Sequence, residues 1–134
     1  MINKGILNPQ INSLLARVRH QNMLIIADRG FTNFPGVEII DISLVDNVPT
    51  VLQVFNAIKE NFDIGEIFMA KEFLDENTKE TQDLYKTACG NSPVTFEASD
   101  EMKKRAPKAI GIIRTADTIQ YGNIMVVSGR IDKP

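Results

Sequence analysis

Apolar residues recur along this chain with two different periods. Ile11, Leu14, Leu15 and Val18 lie at spacings of three, four and seven, which is one face of a helix. Asn8–Pro9 supplies its start, with Asn as the cap and Pro at the first helical position. The pattern predicts that this helix ends near His20–Gln21–Asn22. Met23 to Ala27 is then a continuous apolar run of strand length, as expected for a strand covered on both faces. Asp28–Arg29–Gly30 punctuates it, and Asn33 with Pro35–Gly36 marks a loop. Val37 to Ile42 reads as a second strand. Pro49 opens a second helix, with Val51, Leu52, Phe55, Ile58 and Phe62 on its buried face and Lys59 and Glu60 outward. Ile64 to Ala70 gives a third strand. Asp75 to Ala88 reads as a single, more exposed helix, with Leu84 and Tyr85 available for packing and Gly90 to stop it. Val94 to Glu97 is a short fourth strand. Ser99 to Arg105 is a brief helix with Ser99 in the capping position and Pro107 at its end. Ala109 to Ile113 and Ile124 to Val127 complete the set as fifth and sixth strands.

Helices that alternate with short buried strands predict one three-layer α/β/α domain over residues 1–134, with a mostly parallel sheet of about six strands. Ligands of such sheets sit beyond the carboxyl ends of the strands. That rule puts Asp28 and Lys71–Glu72 on the expected functional edge.

Composition narrows the chemistry. The formal net charge of -2 argues against a nucleic-acid partner, which demands a basic patch. Lys103–Lys104–Arg105 reads as a solvated helix end rather than a phosphate clamp. With Cys89 as the one cysteine, no intramolecular disulfide can form, and no Cys/His cluster has metal-ligand spacing. Cys89 is expected as an ordinary, partly buried helix residue. The N-terminus has no apolar stretch of signal-peptide length, and no run approaches the ~20 residues that span a bilayer. The expectation is a soluble, cytoplasmic protein with no metal, cofactor, membrane or nucleic-acid partner. No Gly-x-Gly-x-x-Gly follows the first strand, and neither a Walker loop nor a Gly-x-Ser-x-Gly elbow occurs.

What remains is His20, the only histidine, with Asp28 and the late cluster Tyr121–Gly122–Asn123. Such a set suits proton shuttling on a polyhydroxylated substrate. An imidazole titrates near neutrality, a carboxylate can orient it, and Tyr and Asn can grip hydroxyls. Each residue also has a plainer role. His20 suits a helix C-terminus, Asp28 a turn, and Tyr121–Gly122–Asn123 the turn before a strand. Composition and spacing do not choose between the two.

Several segments together resemble the D-ribose pyranase and L-fucose mutarotase family of small sugar enzymes. They are Leu7–Asn8 with its helix, His20 with the apolar strand and Asp28, Ile40–Asp41, and Val48–Pro49. Near the end, Ile113–Arg114–Thr115–Ala116–Asp117 and Tyr121–Gly122–Asn123–Ile124 are similar to the family's closing motifs. The resemblance implies an isomerase that interconverts ring forms or anomers of a free monosaccharide without a cofactor. His20 would be the general acid/base. Asp28, Tyr121, Gly122 and Asn123 would hold the sugar, and the two clusters would make one site. It also implies a ring-like homo-oligomer, a decamer in many members, with sites near subunit contacts. Three positions depart from the pattern. Ser99 stands where ribose-type members carry a further sugar-binding His, and is expected to hydrogen-bond a sugar hydroxyl there without carrying charge. Tyr–Gly–Asn is the fucose-type form, whereas Arg114 and the chain length are ribose-type. Arg29–Gly30–Phe31 matches neither loop. A non-catalytic sugar-binding or transport-accessory role, and a generic interaction subunit with a structural polar cluster, are the competing expectations.

Overall fold

A computed structural model describes residues 1–129. The elements run α1 (Pro9–Arg17), β1 (Met23–Ala27), β2 (Glu38–Asp41), α2 (Val51–Lys59), β3 (Ile64–Ala70), α3 (Glu72–Glu76), α4 (Lys79–Cys89), β4 (Val94–Glu97), α5 (Ser99–Arg105), β5 (Gly111–Arg114) and β6 (Ile124–Ser128). Asn8 caps α1 as expected, its side chain accepting from Ile11 N–H at 2.9 Å. The helix stops three residues earlier than the pattern predicts. Val18 is extended, its N–H bonding Leu15 O, and its side chain dives into the core, which pulls the chain off the helix axis. His20 therefore lies in an exposed turn rather than at a helix end.

The region expected as one helix from Asp75 to Ala88 is two. Thr78 is extended and caps α4 by accepting from Thr81 N–H, while Asn77 donates back to Phe73 O at 2.9 Å. A good N-cap starts a new helix instead of continuing the old one. Thr50 begins α2 with a full capping box, exchanging bonds with Gln53.

The six strands form one sheet in the order β2-β5-β1-β6-β3-β4. β2, β5 and β1 are parallel, and so are β3 and β4; β6 runs antiparallel to both β1 and β3. All five residues of β1 are buried, because both its faces are covered. Leu24 and Ile26 point to the layer of α1, α2 and α4, where Leu14, Phe55, Ile58 and Tyr85 pack. Met23, Ile25 and Ala27 point the other way, under α5 and the Phe31–Phe34 loop. This second layer is thin, being one seven-residue helix, a 3₁₀ turn at Ala106–Lys108 and a loop. Pro107 lies within that 3₁₀ turn. Cys89 is buried as the last residue of α4.

Asp117 ties the layers together from the β5–β6 connection. It is 3% exposed. One carboxylate oxygen accepts from Val51 N–H at 2.8 Å, at the N-terminus of α2, and the other from Ile119 N–H at 2.7 Å. The negative charge complements the helix dipole there. Replacing it strands two donors, the first of them fully buried. Asp117→Ala is expected to lower unfolding stability by about 3 kcal/mol, and Asp117→Asn, which keeps one acceptor, by about 1 kcal/mol. Urea unfolding of the two variants checks the order and the gap.

Candidate active site

Strand direction decides which polar groups meet. β1, β3 and β4 all end on one edge of the sheet, and antiparallel β6 begins there. Asp28, Glu72, Ser99 and Asn123 are thus delivered to the same edge by four different strands. A cleft of about 650 Å³ opens between them, lined by Asp28, Ser99, Tyr121 and Asn123 together with Phe31, Phe34, Met102, Lys103 and Gln120. Four of the residues singled out from sequence converge here.

Asp28 and Asn123 are joined directly. The backbone N–H of Asp28 donates to Asn123 Oδ1 at 2.6 Å. Gly30 N–H donates to Asp28 Oδ1 at 2.9 Å, the turn geometry expected of an aspartate at a strand end. Asp28 is half-buried, and burial pushes its carboxyl above the ordinary value, against the hydrogen bonds from Gly30 and Asn123 that lower it. A carboxyl perturbed in this direction inside a cleft marks a candidate functional group.

Tyr121 holds the opposite lip and is 37% exposed. Its φ of 57° lies in the left-handed region, so the strained residue of the turn is Tyr121 and not the glycine after it. Gly122 is required for another reason. A Cβ there would stand 2.5 Å from the Tyr85 hydroxyl, which donates to Gly122 O at 3.2 Å. Tyr85 in turn packs on Phe73 with ring centroids 4.6 Å apart. Burial pushes the Tyr85 phenol far up, so it stays a donor. Gly122 thus seats the Tyr121 turn on the core.

Ser99 is the first residue of α5 and not its cap. Its N–H donates to the Glu72 carboxylate at 3.1 and 3.2 Å, and its Oγ–H donates to Glu72 Oε2 at 2.7 Å. These bonds, the serine hydroxyl first, hold the Glu72 carboxyl below its ordinary range. With its proton committed to Glu72, Ser99 presents lone pairs to the cleft. Lys103 lies one turn further along α5 and joins the same wall. Its i, i+4 spacing from Ser99 was the available signal for it. The rest of the basic trio is engaged elsewhere. Lys104 bonds Glu101 at 3.0 Å, and Arg105 forks onto Glu97 at 2.7 and 3.2 Å while lying over the Phe68 ring.

A single chain does not bring His20 to this cleft. His20 precedes β1 and Asp28 follows it, so the strand that links them also separates them, by about 16 Å for five residues at roughly 3.3 Å each. His20 lines a different hollow, of about 500 Å³, with Leu15, Arg19, Asn61, Phe62 and Asp63, at the opposite edge of the sheet. A third hollow of about 420 Å³ between α4 and β4 is walled by Phe73, Leu74, Tyr85 and Phe96 and holds none of the expected site residues. Among the described residues, no group of three or more His, Cys, Asp or Glu could hold a metal ion, and no helix is long and apolar enough to cross a membrane.

A model of the RbsD / FucU transport protein family matches residues 1–131. A D-ribose pyranase of Geobacillus kaustophilus is 35% identical over 132 residues, covering 96% of this chain and 94% of that protein. A D-ribose pyranase of Geobacillus thermodenitrificans is 33% identical over 130 residues, covering 96% and 97%. Bacillus subtilis RbsD, solved in complex with D-ribose, superposes with a TM-score of 0.91 at 25% identity, over 98% of this chain and 100% of that one. The fucose mutarotase of Streptococcus pneumoniae shares the fold, with a TM-score of 0.78 at 15% identity over 94% and 95% of the two chains. A match over nearly the whole length, in both sequence and fold, leaves one conclusion: the chain belongs to the RbsD / FucU transport protein family.

Proposed function

We propose that this protein is a cofactor-independent isomerase that interconverts ring forms or anomers of a free ribose- or fucose-like monosaccharide. The observation that carries the reading is the convergence of Asp28, Ser99, Tyr121 and Asn123 on one cleft, in a chain 35% identical to a D-ribose pyranase. Ring opening removes the proton of the anomeric hydroxyl and delivers a proton to the ring oxygen as the bond from the anomeric carbon breaks. Reclosure on the other face, or through another hydroxyl, reverses both transfers. Atoms and charge balance without a redox step. A positioned acid/base contributes roughly 10²–10⁴-fold to such transfers.

In this reading Asp28, Tyr121 and Asn123 hold the sugar, Gly122 sets the Tyr121 turn, and Ser99 accepts from a sugar hydroxyl. His20 is the acid/base and comes from a neighbouring copy of the chain in a ring-like homo-oligomer. The surface beside the cleft supports an interface. Leu44, Val45 and Val48 are 76%, 61% and 47% exposed on one hairpin. That hairpin is firmly anchored, through Asn47 N–H to Ala116 O, Thr118 to Asn47 Oδ1, and Arg29 to Asp46 next to Asp28. Rigid apolar side chains left in water beside a functional cleft are a contact surface in waiting.

Proton NMR exchange over a panel of free pentoses and deoxyhexoses tests the activity, and His20→Ala is expected to remove most of the acceleration. Sugar binding without any acceleration would instead favour a non-catalytic binder. The shared site has its own test. His20→Ala and Asp28→Ala chains are each expected to be inactive, yet co-refolded in equal amounts they should recover activity at about one site in four, where an intact cleft meets an intact His20. No recovery in mixed oligomers would place both residues' work within one chain.

Asp28 also links function to stability. Its carboxyl is raised by burial, so the charged form is disfavoured in the folded chain. Above the folded pKa that charge costs stability; below the ordinary aspartate range both states are protonated and the cost vanishes. Asp28→Asn is therefore expected to melt higher than the parent at neutral pH, with the advantage shrinking as pH falls through the raised pKa, while sugar exchange is lost. Thermal melts across that pH range, without sugar, check the sign.

A further inference from the structure

The loop from Gly30 to Phe34 forms the apolar wall of the cleft, through Phe31 and Phe34, whose rings lie 6.0 Å apart. Among the described residues it pairs with no strand. Its local bonds are Gly30 N–H to Asp28 Oδ1 at 2.9 Å, Phe31 N–H to Asp28 O at 3.3 Å and Val37 N–H to Phe34 O at 3.1 Å, all within the turns at its two ends. What joins it to the sheet by polar contact is Arg114, the last residue of β5. One guanidinium nitrogen, Nη2, donates to Phe31 O at 2.8 Å and also to Asn33 Oδ1. The other, Nη1, donates to Asp41 Oδ2 at 3.2 Å, and Asp41 is the register partner of Arg114 at the end of β2.

The clamp is set firmly. The Arg114 side chain is only 15% exposed. Its Nε is buried without a partner, so burial is tolerated for the sake of the outer nitrogens. Asp41 is fixed from its other side by Ser43, whose N–H donates to Oδ1 at 3.0 Å and whose hydroxyl donates to the same oxygen. Those bonds, with Arg114 beside them, hold the Asp41 carboxyl below the usual aspartate range and keep the pair charged. A planar fork can reach a carboxylate and two loop oxygens at once, whereas an ammonium on a flexible stem cannot hold all three in fixed geometry.

We propose that Arg114 is a positioning residue: it hangs the Phe31–Phe34 wall from the ends of β5 and β2 and so sets how tightly the cleft grips its sugar. The proposal rests on the sugar-cleft reading given above. Arg114 lines no part of the cleft itself and touches no reacting atom in that scheme. It acts through the loop, so its loss should weaken binding far more than turnover.

Arg114→Lys, Asn33→Ala and the double variant make the test, with two readouts. The first needs no substrate: hydrogen exchange of the loop amides from Gly30 to Val37, Pro35 having none. Both single variants should speed that exchange. The double variant should add little to Arg114→Lys, because the two share one tether. The second is sugar exchange by NMR across substrate concentration. KM should rise about fivefold or more in Arg114→Lys, with kcat changed less than twofold. Asn33→Ala, at an exposed position, guards against a variant that merely misfolds. Unchanged exchange in the loop overturns the tether. Faster exchange with unchanged KM, or a fall in kcat alone, overturns its role in grip. Wild-type protein that binds no sugar on the panel refutes the sugar reading, and this role with it, while the exchange data still decide the tether.

Discussion

The direction of β6 is the constraint on which the rest depends. A final strand entering parallel between β1 and β3 would begin at the far edge, and its leading residues would lie beside His20. β6 instead runs antiparallel to both neighbours, so the turn before it sits against the carboxyl ends of β1 and β3. Asn123 then stands opposite the end of β1 and accepts from Asp28 N–H at 2.6 Å. That bond joins segments 95 residues apart and fixes the floor of the cleft. Everything else there is arranged around it: Tyr121 on a left-handed residue just before, Gly122 pressed on Tyr85, and α5 brought in from β4 at the side.

Much of the architecture was legible because its causes are local. Met23–Ala27 had to be covered on both faces, and Asn8–Pro9 had to begin a helix, whatever the tertiary context. The misses have equally definite causes. The first helix was drawn too long because Val18 fits the apolar period, yet it reaches the core from an extended backbone. Thr78 was read as a polar helix residue when its hydroxyl was a cap. Of the two readings of Ser99, cap and sugar contact, the cap fails: its hydroxyl belongs to Glu72, 27 residues away, which no local pattern encodes. The family was legible from ordered short motifs, and the match over residues 1–131 agrees with it.

The candidate cleft, as geometry, was legible in part. Asp28, Ser99, Tyr121 and Asn123 do share a cleft. The place of His20 was also within reach of elementary geometry, since a residue before a strand and one after it lie at opposite ends. Resemblance supplied a set of residues without saying which chain each comes from. Lys103 and the Phe31–Phe34 wall were missed because lysines usually solvate helices and aromatics usually fill cores; only the assembled edge distinguishes these.

Local costs concentrate on the same edge. Asp28 keeps a carboxyl where burial disfavours its charge, Tyr121 occupies a backbone region that suits glycine, Arg114 buries an unpartnered Nε, and three apolar side chains stand in water on one hairpin. At the opposite edge Gln21, beside His20, is also left-handed, with a φ of 69°. Costs of this kind persist where function selects them. On the proposed reading they have a common purpose. A lone chain can hold a sugar against Asp28, Tyr121 and Asn123 but has no imidazole in reach, so binding belongs to the chain and turnover to the assembly. On that reading the exposed hairpin beside the cleft has a use as well: its apolar side chains offer a surface for the neighbour whose His20 the chemistry needs.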